Sequence, residues 1–166
     1  MRIKTLILGI CLLWILQSSS FAEEAIILKQ KDAPLKISNY KNKYGATSAY
    51  RSEITHSVTC ANIAGKKIVA TKIGFVAFDA FNEFLGKFVG IVVKDVIGGK
   101  PGKYTWGQSP YSAFAFKKYG TGIAYVEAIR FEDGTIWKSD KSNIVSQIQE
   151  IEESFTADLL EEKKEK

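Results

Sequence analysis

SVTCANIAGKKIVATKIGFVAFDAFNE, residues 57–83, carries two strand signatures and the turns that bound them. Its opening completes a run from Ser48 to Asn62. There Ile54, His56, Val58 and Cys60 fall on one face, and Thr55, Ser57 and Thr59 on the other. Successive side chains of a strand point to opposite sides, so this alternation marks a half-buried strand. Asn62-Ile63-Ala64-Gly65-Lys66 reads as a turn. Lys67 to Asp79 is β-branched and aromatic, with Gly74 inside it. A glycine within a strand marks a bulge or a close backbone approach. A rival pattern overlies the same residues: Phe75, Phe78, Phe81, Leu85 and Phe88 also draw one helical stripe. Strand, turn at Asp79 to Glu83, then strand is the preferred reading, because Phe88 to Val93 (FVGIVV) is rich in β-formers.

Working outward, Ala25–Leu28 and Leu35–Ile37 are candidate strands, and so are Tyr111–Phe116 and Gly122–Phe131. Ile123, Tyr125, Ile129 and Phe131 share a face, with Glu127 the odd member. Gly98 to Lys103 is a loop by composition. Glu132-Asp133-Gly134-Thr135, placed before Ile136 and Trp137, is a hairpin signal, because glycine accepts the positive φ of a tight turn. The periodicity then changes. Ile144, Ile148, Ile151, Phe155 and Leu159 recur at helical spacing after a possible cap at Ser139 or Asp140. Residues 140–166 therefore read as an amphipathic helix ending in a charged tail, EEKKEK.

The N-terminus reads differently again. Arg2 and Lys4 precede an apolar run from Leu6 to Leu16, and Ser20-Phe21-Ala22 places small residues before Glu23. That order is expected of a secretory signal peptide over residues 1–22, with a run too short for a membrane anchor. Ile10 before Cys11 does not match the small residue that precedes a lipid-bearing cysteine. Cleavage would leave Cys60 as the single cysteine, so the fold of residues 23–139 is expected to rest on core packing rather than disulfides. Losing Arg2 and Lys4 takes the formal charge from +5 to +3. The lysines are spread along the chain, which argues against a nucleic-acid partner.

Residues 50–138 resemble small immunoglobulin-like domains of bacterial envelope and secreted proteins. The residues that carry the resemblance are Asn62, Gly65-Lys66, Ile68 and Phe78-Asp79, with YVEAIRFEDGTIW similar to the closing hairpin of such domains. It implies a mainly β fold, an immunoglobulin-like antiparallel β-sandwich, here followed by the C-terminal helix. It implies no catalytic residues, since such sandwiches host many functions.

Few constellations point to chemistry. His56 and Cys60, four residues apart, lie about 13 Å from each other on one strand, too far for a nucleophile and its base. A core thiol and a half-buried histidine are expected instead. Glu132-Asp133 belong to a hairpin tip, while Asp79 and Glu83 flank a turn without EF-hand spacing. No metal and no cofactor are expected. KPGKYTW, residues 100–106, is the best recognition candidate: Lys103, Tyr104, Trp106 and the nearby Tyr111 could stack on sugar rings, or Trp106 could fold back over the end of the sandwich. The stripe of Ile144, Ile148, Ile151 and Phe155 likewise either docks on a partner or closes the chain's own sheet. The expected function is that of a non-enzymatic interaction module of the cell envelope, periplasmic or secreted, with an envelope protein or a glycan as partner. The alternatives are a carbohydrate or cell-wall binder using the 100–111 aromatics and, third, an enzyme. No membrane span is expected after signal removal.

Overall fold

The computed structural model describes residues 24–48, 51–96, 100–109 and 119–161. The signal-peptide reading, Tyr111 and the strand expected at Tyr111–Phe116 lie outside these residues. Eight strands follow one another: β1 (Glu24–Ile27), β2 (Leu35–Ser48), β3 (Arg51–Asn62), β4 (Ile68–Asp79), β5 (Phe84–Val96), β6 (Gly102–Gln108), β7 (Tyr119–Phe131) and β8 (Ile136–Lys138). One α-helix, α1 (Lys141–Gln149), and a 3₁₀ turn at Ala157–Leu160 close the described chain.

The chain is mainly β, with two sheets and one α-helix among the described residues. The larger sheet runs β1-β7-β4-β5, and the smaller runs β2-β3-β6. β8 covers only Ala128–Arg130 of one β7 edge, and β1 pairs with Thr121–Ala124 on that same edge. The β1–β7 pairing is parallel, which corrects the expectation of a purely antiparallel arrangement. The short β8 leaves Thr121–Ala124 of that edge open to β1, which enters beside it rather than through a hairpin.

The Asp79 turn resolves the helix-or-strand ambiguity in favour of strands. Buried Asp79 accepts from the amides of Phe81 (2.8 Å) and Glu83 (2.9 Å), with Asn82 at φ 63°. Asn62 does the same for the preceding turn. It donates to the Lys66 carbonyl at 2.9 Å and accepts from the Ala64 amide at 2.9 Å. At the β7–β8 hairpin, Gly134 has φ +83° and donates to the Phe131 carbonyl at 3.0 Å, as the Asp-Gly signal predicts.

Between the sheets lies a core built from Leu35, Ile37, Tyr40, Val58 and Cys60 on one side and Ile73, Phe75, Ala124, Val126 and Ile129 on the other. The opposite face of the larger sheet is also covered. There Val76, Phe78, Ile123 and Tyr125 pack against Ile144, Ile148, Phe155 and Leu160. The stretches Phe75–Phe78 of β4 and Ile123–Val126 of β7 are thus buried on both faces. This is why FVAF and GIAYV read as continuous apolar runs without clean alternation.

The C-terminal segment corrects two expectations. Asp140 caps α1 by accepting from the Ser142 amide at 2.9 Å, but the helix ends at Gln149 and does not continue to Leu159. The chain folds back: Ser154 donates to the Glu152 side chain at 3.1 Å, and Gln149 donates to the Phe155 carbonyl at 2.8 Å. Phe155 then sits against Phe78 and Phe84, with ring centres 5.9 and 5.7 Å apart. The partner-docking alternative for the stripe is corrected as well. Ile144, Ile148 and Phe155 are buried and Ile151 packs on the same cluster, because the larger sheet has an apolar outer face that this segment covers. Among the described residues no helix is long and apolar enough to cross a membrane.

Candidate functional site

The aromatic segment expected to form a recognition loop is strand β6, paired with β3 from Ile54↔Gln108 to Cys60↔Gly102. Alternation sends Tyr104 and Trp106 to the core face and Lys103 to the solvent face. Trp106 packs over Gly90, where an added Cβ would lie 2.6 Å from the indole. Its ring centre is 5.6 Å from that of Phe75 and 6.2 Å from that of Tyr104. Tyr104 and Trp106 therefore pack, partly buried, against the sandwich interior, and Lys103 lies on the opposite face of β6 from them.

His56 and Cys60 are equally committed to the interior. His56 is fully buried, not half-buried as expected, and stacks on Phe75 with ring centres 4.3 Å apart. The Gln108 Oε1 atom can only accept, so His56 Nε2 donates to it at 2.9 Å. This leaves Nδ1 as the acceptor for the Tyr40 hydroxyl, also at 2.9 Å. The imidazole is thereby held neutral, with burial lowering its pKa to about 4. Both ring nitrogens are occupied, leaving none to activate Cys60. Burial pushes the Cys60 thiol up to about 11, away from the thiolate that a nucleophile requires. Burial also raises the Tyr40 hydroxyl, partly offset by hydrogen bonds from Asn42 and Tyr119. Glu132 and Asp133 serve the hairpin tip: they pair with Lys67 (2.8 Å) and Lys66 (2.7 Å) of the neighbouring turn.

The arrangement that the sequence did not single out lies on the outer face of the larger sheet. The C-terminal segment covers only part of that face. Beyond its limit is an open groove of about 470 Å³. Register builds its floor. One rung places Ile91, Lys72, Ala128 and Lys138 side by side across β5, β4, β7 and β8. The next rung places Val93, Ala70, Arg130 and Ile136 in the same order. Paired residues share a face, so the two central strands alternate a methyl group with a cation. The alanines leave a trough. Ile91 (54% exposed) and Val93 (79%) stand on one side of it, and Ile136 (59%) on the other.

The end of the groove beneath the C-terminal segment is fixed by polar contacts. Lys87 Nζ lies 3.1 Å from Glu127 Oε2 and donates to the Leu160 carbonyl at 2.8 Å, tying the C-terminal segment to the sheet. Tyr125 lies flat over Gly74, whose missing Cβ would come 2.2 Å from the ring. Burial, and then the nearby Glu127 charge, hold the Tyr125 hydroxyl protonated. Among the described residues Glu127 is the only acid lining the groove, against five cations: Lys72, Lys87, Arg130, Lys138 and Lys141. Lys141 pairs with Glu161 at 3.4 Å. Lys72, Arg130 and Lys138 have no ion pair among the described residues. A larger depression of about 730 Å³, between the β1–β2 connection and α1, is different in character. Gln147 donates to the Lys29 carbonyl (2.9 Å) and accepts from its amide (2.8 Å), binding the depression's two walls together.

No family model matches the chain, and no curated protein matches it in sequence. Among solved structures it is similar to a hypothetical protein of Peptoclostridium difficile 630, at 12% identity and a TM-score of 0.48, over 72% of this chain and 93% of that one. It is also similar to a Northeast Structural Genomics Consortium target, at 15% identity and a TM-score of 0.44, over 66% of this chain and 83% of that one.

Proposed function

We propose that the mature chain is a non-enzymatic binding module of the cell envelope, periplasmic or secreted, and that it binds through the groove on the outer face of the larger sheet. The observation that carries this reading is the half-covered face itself. The chain's own C-terminal segment covers Val76, Phe78 and Ile123, yet leaves Ile91, Val93 and Ile136 exposed beside cations that have no ion pair among the described residues. Contiguous apolar surface rimmed by polar residues marks an interaction site. The leader-like order of residues 1–22 supports export. Sealing of His56 and Cys60 in the interior supports binding rather than catalysis.

The scaffold in this reading is an immunoglobulin-like sandwich. Its support is the interleaved path of the chain. Hairpins β2–β3 and β4–β5 lie in opposite sheets, β6 returns to β3, and β7 returns to β4. Such crossing between sheets is the habit of Greek-key sandwiches.

Native mass spectrometry of the protein purified from its own envelope tests the reading. The wild type should retain a co-purifying species, and Ala128→Trp, which fills the trough, should lose it. Retention by the variant, or no bound species in the wild type, refutes it.

A further inference from the structure

We propose that the groove takes a free fatty acid, with the carboxylate between Lys72 and Lys138 and the alkyl chain along the Ala70–Ala128 trough. The proposal rests on the groove being the binding site and adds the chemistry of its occupant. Three observations select that chemistry. First, charge is complementary to an anion: Lys72 and Lys138 flank Ala128 in one rung, and Glu127, the single acid of the groove among the described residues, is already matched by Lys87 at 3.1 Å. A carboxylate between two ammonium groups forms charge-assisted hydrogen bonds, which are the strong ones. Second, the floor offers methyl groups and no free backbone. β4 is paired on both sides by β5 and β7, and Ala128 and Arg130 of β7 lie between β4 and β8. A peptide that binds by adding a strand pairs in the plane of the sheet, at an edge strand such as β5, and so would not lie over the trough. An alkyl chain lies across the methyl groups without needing backbone partners. Third, a volume of about 470 Å³ is small among ligand sites and suits one chain rather than the paired chains of a phospholipid.

The alkyl chain would cover what water now touches. Ile91 and Ile136 stand at opposite sides of the trough, in successive rungs, as its apolar walls. The aliphatic stems of Lys72 and Lys138 add to this lining while their ammonium groups stay at the rim.

Calorimetric titration of the mature protein with dodecanoate and with dodecan-1-ol tests the assignment. Dodecanoate should bind, and the alcohol should bind at least tenfold more weakly. The double variant Lys72→Glu/Lys138→Glu should lose at least tenfold in dodecanoate affinity with an unchanged melting temperature, since both side chains are free of ion pairs among the described residues. Raising the salt concentration should weaken dodecanoate and leave the alcohol unaffected. Equal affinity for acid and alcohol, an undiminished double variant, or no binding of dodecanoate overturns the assignment. If dodecanoate fails while Ala128→Trp still strips a co-purifying species, the groove remains the site and the fatty-acid chemistry is wrong. If both fail, the groove is not the site.

Discussion

Lowering the pH from 7.5 to 4.5 should destabilise the protein through one residue. His56 is the only histidine of the chain, so it is the one side chain whose ordinary pKa lies in this window. In the unfolded chain it takes up a proton near pH 6.5. In the folded chain burial holds its pKa at about 4. The unfolded state therefore binds more protons between these values, and stability is lost as pH falls through them. A separation of about 2.5 pKa units corresponds to about 3 kcal/mol at most, and to about 2 kcal/mol by pH 5. That is a large part of the 5–15 kcal/mol typical of a domain. The carboxylates act lower on the scale. Asp133 is held below its ordinary value chiefly by the Lys66 hydrogen bond, and Asp140 and Glu152 by hydrogen bonds from Ser142 and Ser154, so their contributions fade only in more acidic solution. Urea unfolding at steps between pH 7.5 and 4.5 measures the slope. His56→Gln keeps a polar group near Tyr40 and Gln108 but cannot titrate. It should start less stable at pH 7.5 and show a nearly flat profile down to pH 5. A variant with the wild-type slope would mean that His56 is not the group responsible, and a wild type that gains stability below pH 6.5 would reverse the predicted sign.

Other outcomes follow from single contacts. Gly134→Val should lower stability by about 1–2 kcal/mol, because a β-branched residue resists a φ of +83°, whereas Gly45→Val, in open space, should cost far less; thermal melts compare the two. Truncation after Ser139 should uncover Val76, Phe78, Ile123 and Tyr125 and produce dye binding and self-association on size exclusion; an equally soluble monomer would mean that α1 does not cover the sheet. Lys87→Met should loosen the same segment by about 1–3 kcal/mol, since Glu127 and the Leu160 carbonyl both lose their cation, and hydrogen exchange across residues 155–161 reads that loss. Cys60 should resist thiol labelling until the protein unfolds, and intact-mass measurement on exported protein should find a chain starting at Glu23.

Strands with one wet face were legible in the sequence. β3 alternates cleanly because Thr55, Ser57 and Thr59 lie outside, and the Asp-Gly pair fixed the β7–β8 turn. β4 at Phe75–Phe78 and β7 at Ile123–Val126 were harder, because burial on both faces removes the alternation on which periodicity depends. The C-terminal stripe misled for a related reason. Ile151, Phe155 and Leu159 keep helical spacing, yet they reach the same apolar face through a fold-back stapled by Glu152 and Gln149. β6 was hidden because Lys100, Pro101 and Gly102 signal a loop, and nothing local tells that Trp106 has Gly90 opposite it. The groove left a faint trace: Ala70-Thr71-Lys72 and Ala128-Ile129-Arg130 repeat a small residue followed two positions later by a cation. Only the antiparallel register, which sets Ala70 against Arg130 and Lys72 against Ala128, turns two tripeptides into one surface.

Alanine-methyl NMR of the protein purified from its envelope, recorded before and after stripping with a hydrophobic resin, tests the binding site most directly. The groove reading predicts that the Ala70 and Ala128 methyl signals move on stripping, while those of Ala77 and Ala124, buried on the opposite face of the sheet, stay in place. Unmoved Ala70 and Ala128 signals, with or without changes elsewhere in the molecule, would contradict it.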